Sequence, residues 1–231
     1  MKIGIIGAMD EEVSILKSAM NNVTTTSIAG CEFYQGDLNG KQVILTKSGI
    51  GKVAAAVATT LLLEKFSPDT VINTGSAGGY DKNLNVGDIV ISTEVRFHDV
   101  DLTAFGYEIG QMAQLPPAFA ATPSLIDIAE QAAQTLPGLN IIKGLICTGD
   151  IFMADPVKAE VARTNFPTMA ACEMEAAAIA QVCFQFSIPF VIIRSLSDIA
   201  GKKSELSFEE FLPVAAKNAS TLVEAIVDRI N

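Results

Sequence analysis

The sequence has no tryptophan, three tyrosines and one histidine. With His98 as the only imidazole, a zinc site built from histidines is excluded. A mixed site with cysteine has no supporting spacing, because Cys31, Cys147, Cys172 and Cys183 contain no C-x-x-C pair. A Ser-His-Asp triad would have to use His98 in RFHDVD, and no nucleophile elbow occurs anywhere in the chain. Each cysteine lies among apolar or small residues, which reads as four buried free thiols and fits a reducing, cytoplasmic setting. Long apolar runs are missing as well: none reaches the roughly 18 residues that would span a bilayer. The apolar stretch of MKIGIIGAMDEE runs straight into acids, so it reads as a buried first strand and not as an export signal. Positive charge is scarce, with 16 Lys and Arg against 26 Asp and Glu and a net charge of −10. Such a chain does not attract phosphate backbones, which argues against a nucleic-acid partner, whereas a small, weakly charged or cationic substrate is compatible.

What is present is apolar mass and alternation. Apolar residues make up 49% of 231 positions, enough to fill the core of a single domain over residues 1–231. KIGIIGAM reads as a strand and DEEVSILKSAM as a helix, with Asp10 placed to cap it and Val13, Leu16 and Met20 on one face. CEFYQGDLNGKQVILTKSG reads as two strands about an Asn39-Gly40 turn. Helices are predicted over Gly51–Phe66, Pro123–Leu136, Pro156–Asn165, the Ala-rich stretch after Glu175, and Ser207–Ile230. Strands are predicted at DTVINT, VGDIVISTEV, LNIIKGLIC, MAAC and PFVIIRSLSD, and a long Gly-, Pro- and aromatic-rich loop at 103–121. Strands alternating with helices predict an α/β fold, a largely parallel sheet covered by helices.

In such folds ligands bind beyond the carboxyl ends of strands. Five strand ends here carry chemistry: Gly7 to Glu12, Gly75-Ser76-Ala77-Gly78-Gly79, Thr148 to Met153, Glu173-Met174-Glu175, and Ser195 to Asp198. Each has a plainer reading. Glu12 can be a solvated first-turn acid, GSAGG a tight turn, Phe152 a core residue and Asp198 a helix N-cap. GSAGG is neither a Walker loop nor a complete G-x-G-x-x-G. Two acids at 173 and 175 inside an apolar stretch are harder to explain, since unpaired buried charge is costly. Together the five describe a pocket lined by carboxylates.

The segments GAMDEE, NTGSAGG, FHDVDLTAFGYEIGQ, CTGDIFM, CEMEAAAIA and RSLSD, in this order and in unbroken register, resemble the 5'-methylthioadenosine/S-adenosylhomocysteine nucleosidases of the nucleoside phosphorylase superfamily. The likeness covers essentially the whole chain. It implies a three-layer α/β/α sandwich with a central mixed, largely parallel twisted sheet. It implies hydrolysis of the N-glycosidic bond of methylthioadenosine and S-adenosylhomocysteine, and of 5'-deoxyadenosine, to adenine and the corresponding sugar in methionine salvage. It also implies a homodimer and no cofactor or metal. By this resemblance Glu12 is the base that activates water and Asp198 the acid that protonates the purine. Glu175 holds the ribose hydroxyls, with Met174 against the sugar. Phe152 stacks on adenine, and the backbone of Met153 reads the base edge. Ser76 and Gly78 line the sugar and base, and Arg194 lies near the attacking water. Met9, Ile50 and Phe208 wall the 5'-alkylthio group, and Leu102, Phe105 and Tyr107 are lent to that wall by the partner subunit. The chain departs from the family's tyrosine-rich wording of the loop at Ile109 and Met112-Ala113-Gln114.

The chemistry fits these roles. Cleavage of an N-ribosyl bond passes through an oxocarbenium-like state, with an acid on the leaving group and a base on the water. A free aspartate is protonated only about once in a thousand at neutral pH, so Asp198 has to be held protonated by burial and neighbouring carboxylates. Two other readings stand beside hydrolysis. A phosphorylase of the same superfamily needs cations for phosphate. The arginine such enzymes carry two residues before the Gly-Ser turn is Asn73 here, and the first turn is acidic. A non-catalytic nucleoside-binding protein would need the pocket but not both Glu12 and Asp198.

Overall fold

The computed structural model describes residues 1–81, 83–136, 138–200 and 204–230, the side chains of 204–206 excepted. Its strands are β1 (Lys2–Gly7), β2 (Asn21–Ile28), β3 (Cys31–Leu38), β4 (Lys41–Lys47), β5 (Thr70–Gly79), β6 (Ile89–Phe97), β7 (Phe119–Ala120), β8 (Ile141–Thr148), β9 (Met169–Glu173) and β10 (Phe190–Ile199). Its helices are α1 (Asp10–Ala19), α2 (Lys52–Phe66), α3 (Pro123–Ala133), α4 (Pro156–Asn165), α5 (Ala176–Phe186) and α6 (Ser204–Arg229). The strands form one mixed sheet in the order β10-β6-β8-β9-β5-β1-β4-β3-β2, with β7 beside β6. Pairing is parallel along β4-β1-β5-β10 and along β6-β8-β9, and antiparallel where β10 meets β6, where β9 meets β5, and through β2-β3-β4. Because β5 also pairs with β10, the strands β5, β10, β6, β8 and β9 close into a ring.

Strand alternation sends apolar side chains to both faces. Ile6, Val71 and Ile192 join Ala55, Leu62, Ile179 and Cys183 of α2 and α5 in one core. Ile3, Ile5, Ile72, Val191 and Ile193 join Leu16, Ala129, Leu222 and Ile226 of α1, α3 and α6 in the other. These are the three layers the resemblance implied. Gly4 lets α2 close on the sheet, since a Cβ there would lie 2.9 Å from Leu62. Asn39 and Gly40 both adopt positive φ, 51° and 77°, as the expected β3–β4 hairpin turn requires. All four cysteines are buried and free. Among the described residues no helix is long and apolar enough to cross a membrane.

Several boundaries differ from expectation for identifiable reasons. Asp10 does not cap α1: Met9 is the N-cap residue, and Asp10 begins the helix with its side chain paired to Lys47 at the surface. GSAGG is not a turn. β5 continues through it, with Ser76 and Ala77 in register with Ser195 and Leu196 of β10. Asp198 lies within β10, as the strand PFVIIRSLSD predicted, at a register shift between Leu196 and Asp198, so its alternative reading as a helix cap falls. β2, rich in Thr and Asn and mostly exposed, has no apolar periodicity to announce it. The 103–121 loop contains a single 3-10 turn, Thr103–Phe105, and the short β7.

Candidate active site

A cavity of about 200 Å³ opens at the carboxyl ends of β1, β5 and β10. Its lining includes every site residue the sequence placed on this chain: Met9, Glu12, Ile50, Ser76, Gly78, Phe152, Met153, Met174, Glu175, Arg194, Asp198 and Phe208. Leu102, Phe105 and Tyr107 are not in the lining; they sit on the neighbouring loop, where Phe105 is 80% exposed. Ala8, Ala77, Ile151, Cys172 and Ser197 also line the cavity and were not singled out from sequence. Four of these are small or apolar residues next to a marked one, and only their neighbours signalled them.

Glu12 stands in the first turn of α1 and turns back over the end of β1. Its Oε2 accepts the amides of Ala8 at 2.7 Å and Met9 at 3.2 Å. Its Oε1 accepts the amide of Ser76 at 2.9 Å and the Ser76 hydroxyl at 3.0 Å. The side chain therefore satisfies a helix start and a strand end at once, which holds a buried carboxylate in one orientation. Asp198 sits across β5. Its Oδ1 accepts the Ser197 hydroxyl at 2.9 Å, and its Oδ2 would be 3.2 Å from a Cβ on Gly78. Ser76 and Gly78 alternate on one strand, so they share a face about 7 Å apart. Glu12 is hydrogen-bonded to the first of these positions, and Asp198 packs beside the second.

Arg194 lines the same cavity and is only 1% exposed. It donates to the Ser76 carbonyl at 3.2 Å, to Asn73 Oδ1 at 2.8 Å, to Glu173 at 2.5 Å and to Glu175 at 3.4 Å. Burial pulls its pKa down, but the charges of Glu173, Glu175 and Glu12 outweigh that and hold it above the ordinary value. Gly75 makes room for this convergence: a Cβ there would fall 2.7 Å from Oε1 of Glu12 and closer still to Nη1 of Arg194. Glu175 Oε1 accepts the Gly51 amide at 2.8 Å. Burial first, and then the charge of Glu173, push its carboxyl well above the usual range. Three carboxylates thus act on one guanidinium, and that guanidinium is already engaged.

The upper wall is apolar. The rings of Phe152 and Phe208 meet edge-on with centroids 5.7 Å apart, and Ile50 and Ile151 complete the opening. A flat heteroaromatic base suits the ring pair, a hydroxylated sugar suits Glu175, and an apolar tail suits the mouth.

Comparison with known proteins agrees with this architecture. The family described as the phosphorylase superfamily matches residues 2–228. A 5'-methylthioadenosine/S-adenosylhomocysteine nucleosidase of Psychromonas ingrahamii is 81% identical over 231 residues, covering 100% of both chains. The structure of such a nucleosidase from Colwellia psychrerythraea, in complex with adenine, is 55% identical, covers 98% of this chain and 94% of its own, and superposes with a TM-score of 0.96. That from Neisseria meningitidis, in complex with methylthio-immucillin-A, is 49% identical, covers 99% of both chains, and gives a TM-score of 0.98. The chain belongs to the phosphorylase superfamily and, within it, to the 5'-methylthioadenosine/S-adenosylhomocysteine nucleosidases.

Proposed function

We propose that this chain hydrolyses the N-glycosidic bond of 5'-methylthioadenosine and S-adenosylhomocysteine, and of 5'-deoxyadenosine, releasing adenine. The observation that carries this reading is the placement of two buried acids in one cavity, Glu12 hydrogen-bonded to Ser76 and Asp198 beside Gly78, two positions further along β5. Glu12 draws a proton from the water attacking the anomeric carbon. Asp198 gives its proton to the purine ring, so the base leaves neutral. Arg194 and Ser76 hold the water. Glu175 hydrogen-bonds the ribose hydroxyls, and in its ionised form accepts from both, with Met174 beneath the sugar. Phe152 and the backbone of Met153 hold adenine.

Water is favoured over phosphate on electrostatic grounds. The only cation lining the cavity among the described residues is Arg194, whose Nη2 is taken by Asn73, Glu173 and Glu175. A phosphate dianion would meet carboxylates instead. Asn73, at the position where related phosphorylases carry arginine, spends its own amide on the Ile6 carbonyl at 2.8 Å.

The reading extends to assembly. The apolar mouth is closed by Leu102, Phe105 and Tyr107 from a second copy, which gives the exposed Phe105 its role. The functional unit is a homodimer of single-domain chains, acting in the reducing cytoplasm that the four free thiols suit and serving methionine salvage.

The test is to supply methylthioadenosine with and without inorganic phosphate. Equal adenine release and a free reducing thioribose are expected in both. Strict dependence on phosphate, with a sugar phosphate as product, would replace hydrolysis by phosphorolysis.

A further inference from the structure

Glu173 lines the cavity, yet neither the water chemistry nor base recognition uses it. It ends β9, and its side chain is 2% exposed. Its Oε2 accepts from Arg194 at 2.5 Å and from the amides of Glu175 and Ala176, each at 2.9 Å. Its Oε1 accepts the Thr148 hydroxyl, and Thr148 Oγ1 in turn accepts the Ala177 amide at 2.8 Å. Three successive amides at the start of α5 are therefore satisfied by Glu173 and Thr148, both from outside the helix.

This matters because Glu175 is the N-cap residue of α5. An acid at that place ordinarily folds back onto its own helix amides. Among the described residues the Glu175 side chain makes no such cap bond; it reaches across to Gly51 and Arg194 instead. Glu173 does the capping and leaves Glu175 free to face the cavity. It also competes for Arg194, standing at 2.5 Å from Nη2 while Glu175 stands at 3.4 Å.

We propose that Glu173 is a positioning residue: one buried carboxylate caps α5 and anchors Arg194, and by both contacts keeps the Glu175 carboxylate presented to the ribose. Without it, Glu175 turns inward to cap its helix or to neutralise Arg194. The inference deepens the proposed function and rests on it, because the ribose role of Glu175 belongs to that reading.

The experiment compares kcat/KM for methylthioadenosine and for its 3'-deoxy analogue in the unaltered protein and in Glu173→Gln. The unaltered protein is expected to prefer the hydroxylated substrate about thirtyfold, the value of a hydrogen bond to a charged acceptor. In Glu173→Gln, kcat/KM for methylthioadenosine falls about a hundredfold, and the preference for the 3'-hydroxyl shrinks to within about threefold. Glu173→Asp, which keeps the charge on a shorter arm, restores part of the preference. A purely structural role would lower the melting temperature and leave the preference untouched, and that result in a folded variant overturns the proposal. If Glu173→Gln shows no cooperative melting, Thr148→Val takes its place. It frees Oε1 of Glu173 and leaves the Ala177 amide without its acceptor, both within the cap of α5, and it should move the preference in the same direction while Thr148→Ser does not. An unchanged preference in Thr148→Val overturns the proposal equally. The unaltered protein separates the two levels: no adenine from methylthioadenosine sinks the function itself, whereas hydrolysis indifferent to the 3'-hydroxyl leaves the function standing and sinks this inference.

Discussion

At the floor of the cavity Glu12, Glu173, Glu175, Asp198 and Arg194 are all buried, and the hydrogen bonds of Glu12 alone tie α1, the end of β1 and β5 together. At the rim Ile50 is 58% and Phe152 42% exposed, with Phe105 further out on its loop. The floor is finished within one chain. Each acid has its donors, and each donor comes from an element set by the packing of the sheet. The rim is a set of apolar side chains in water, whose burial is left to substrate and, on our reading, to a second subunit. On the proposed function, bond-breaking chemistry belongs to the rigid region, while affinity and choice of 5' group belong to the adaptable one.

That contrast can be broken at several depths. Asp198→Asn removes the proposed proton donor while keeping shape, so kcat should fall by about a thousandfold with KM little changed. A variant turning over near the native rate would take the acid role from Asp198. The charge crowding of the floor predicts a pH effect at Glu175, whose carboxyl burial and Glu173 raise to about 8 from an ordinary 4.5. With the folded value above the unfolded one, the unfolded chain ionises first, so stability is lost as pH rises from the lower value to the higher. Relative to native protein, Glu175→Gln should gain stability between pH 5 and 8, by up to about 1.4 kcal/mol per pH unit. Denaturant melts of the two proteins that run parallel across that range would contradict the crowding.

At the rim the expected effects are smaller and of another kind. Phe105→Ala should raise KM for methylthioadenosine about tenfold and leave kcat within about twofold. A change confined to kcat would place Phe105 with the chemistry instead. Smaller still is the surface pair of Lys47 and Asp10, whose side chains are 31% and 76% exposed. Lys47→Met should alter stability by less than about 0.5 kcal/mol in thermal melts, although Asp10 follows directly on the turn that Glu12 closes.

The same contrast explains what the sequence disclosed. The floor was legible because its residues break local rules. Acids stand in apolar stretches at 173 and 175, glycines crowd at 75, 78 and 79, and an aspartate ends a buried strand at 198. Their positions were legible, and Asp198 was placed in its strand, but the setting of GSAGG was not. GSAGG lies within a strand because β5 and β10 pair with each other, a partnership that hydrophobic pattern along one segment does not contain. The closed ring of strands is hidden for the same reason. Glu173 was conspicuous as a buried acid, but its work as a cap for α5 depends on Thr148, 25 positions away in sequence. Rim residues such as Ile151 have no signal of their own, since an isolated apolar side chain beside a loop is ordinary.

The claim that everything else leans on is that Glu12, held by four hydrogen bonds at the end of β1, is the base that activates water. Rapid-quench measurement of adenine release in a single turnover by Glu12→Gln, with methylthioadenosine saturating, tests it directly. The account predicts a fall of at least about a hundredfold in the chemical step, with substrate still bound at near-native affinity. Adenine released at the native rate by a folded Glu12→Gln protein would contradict it.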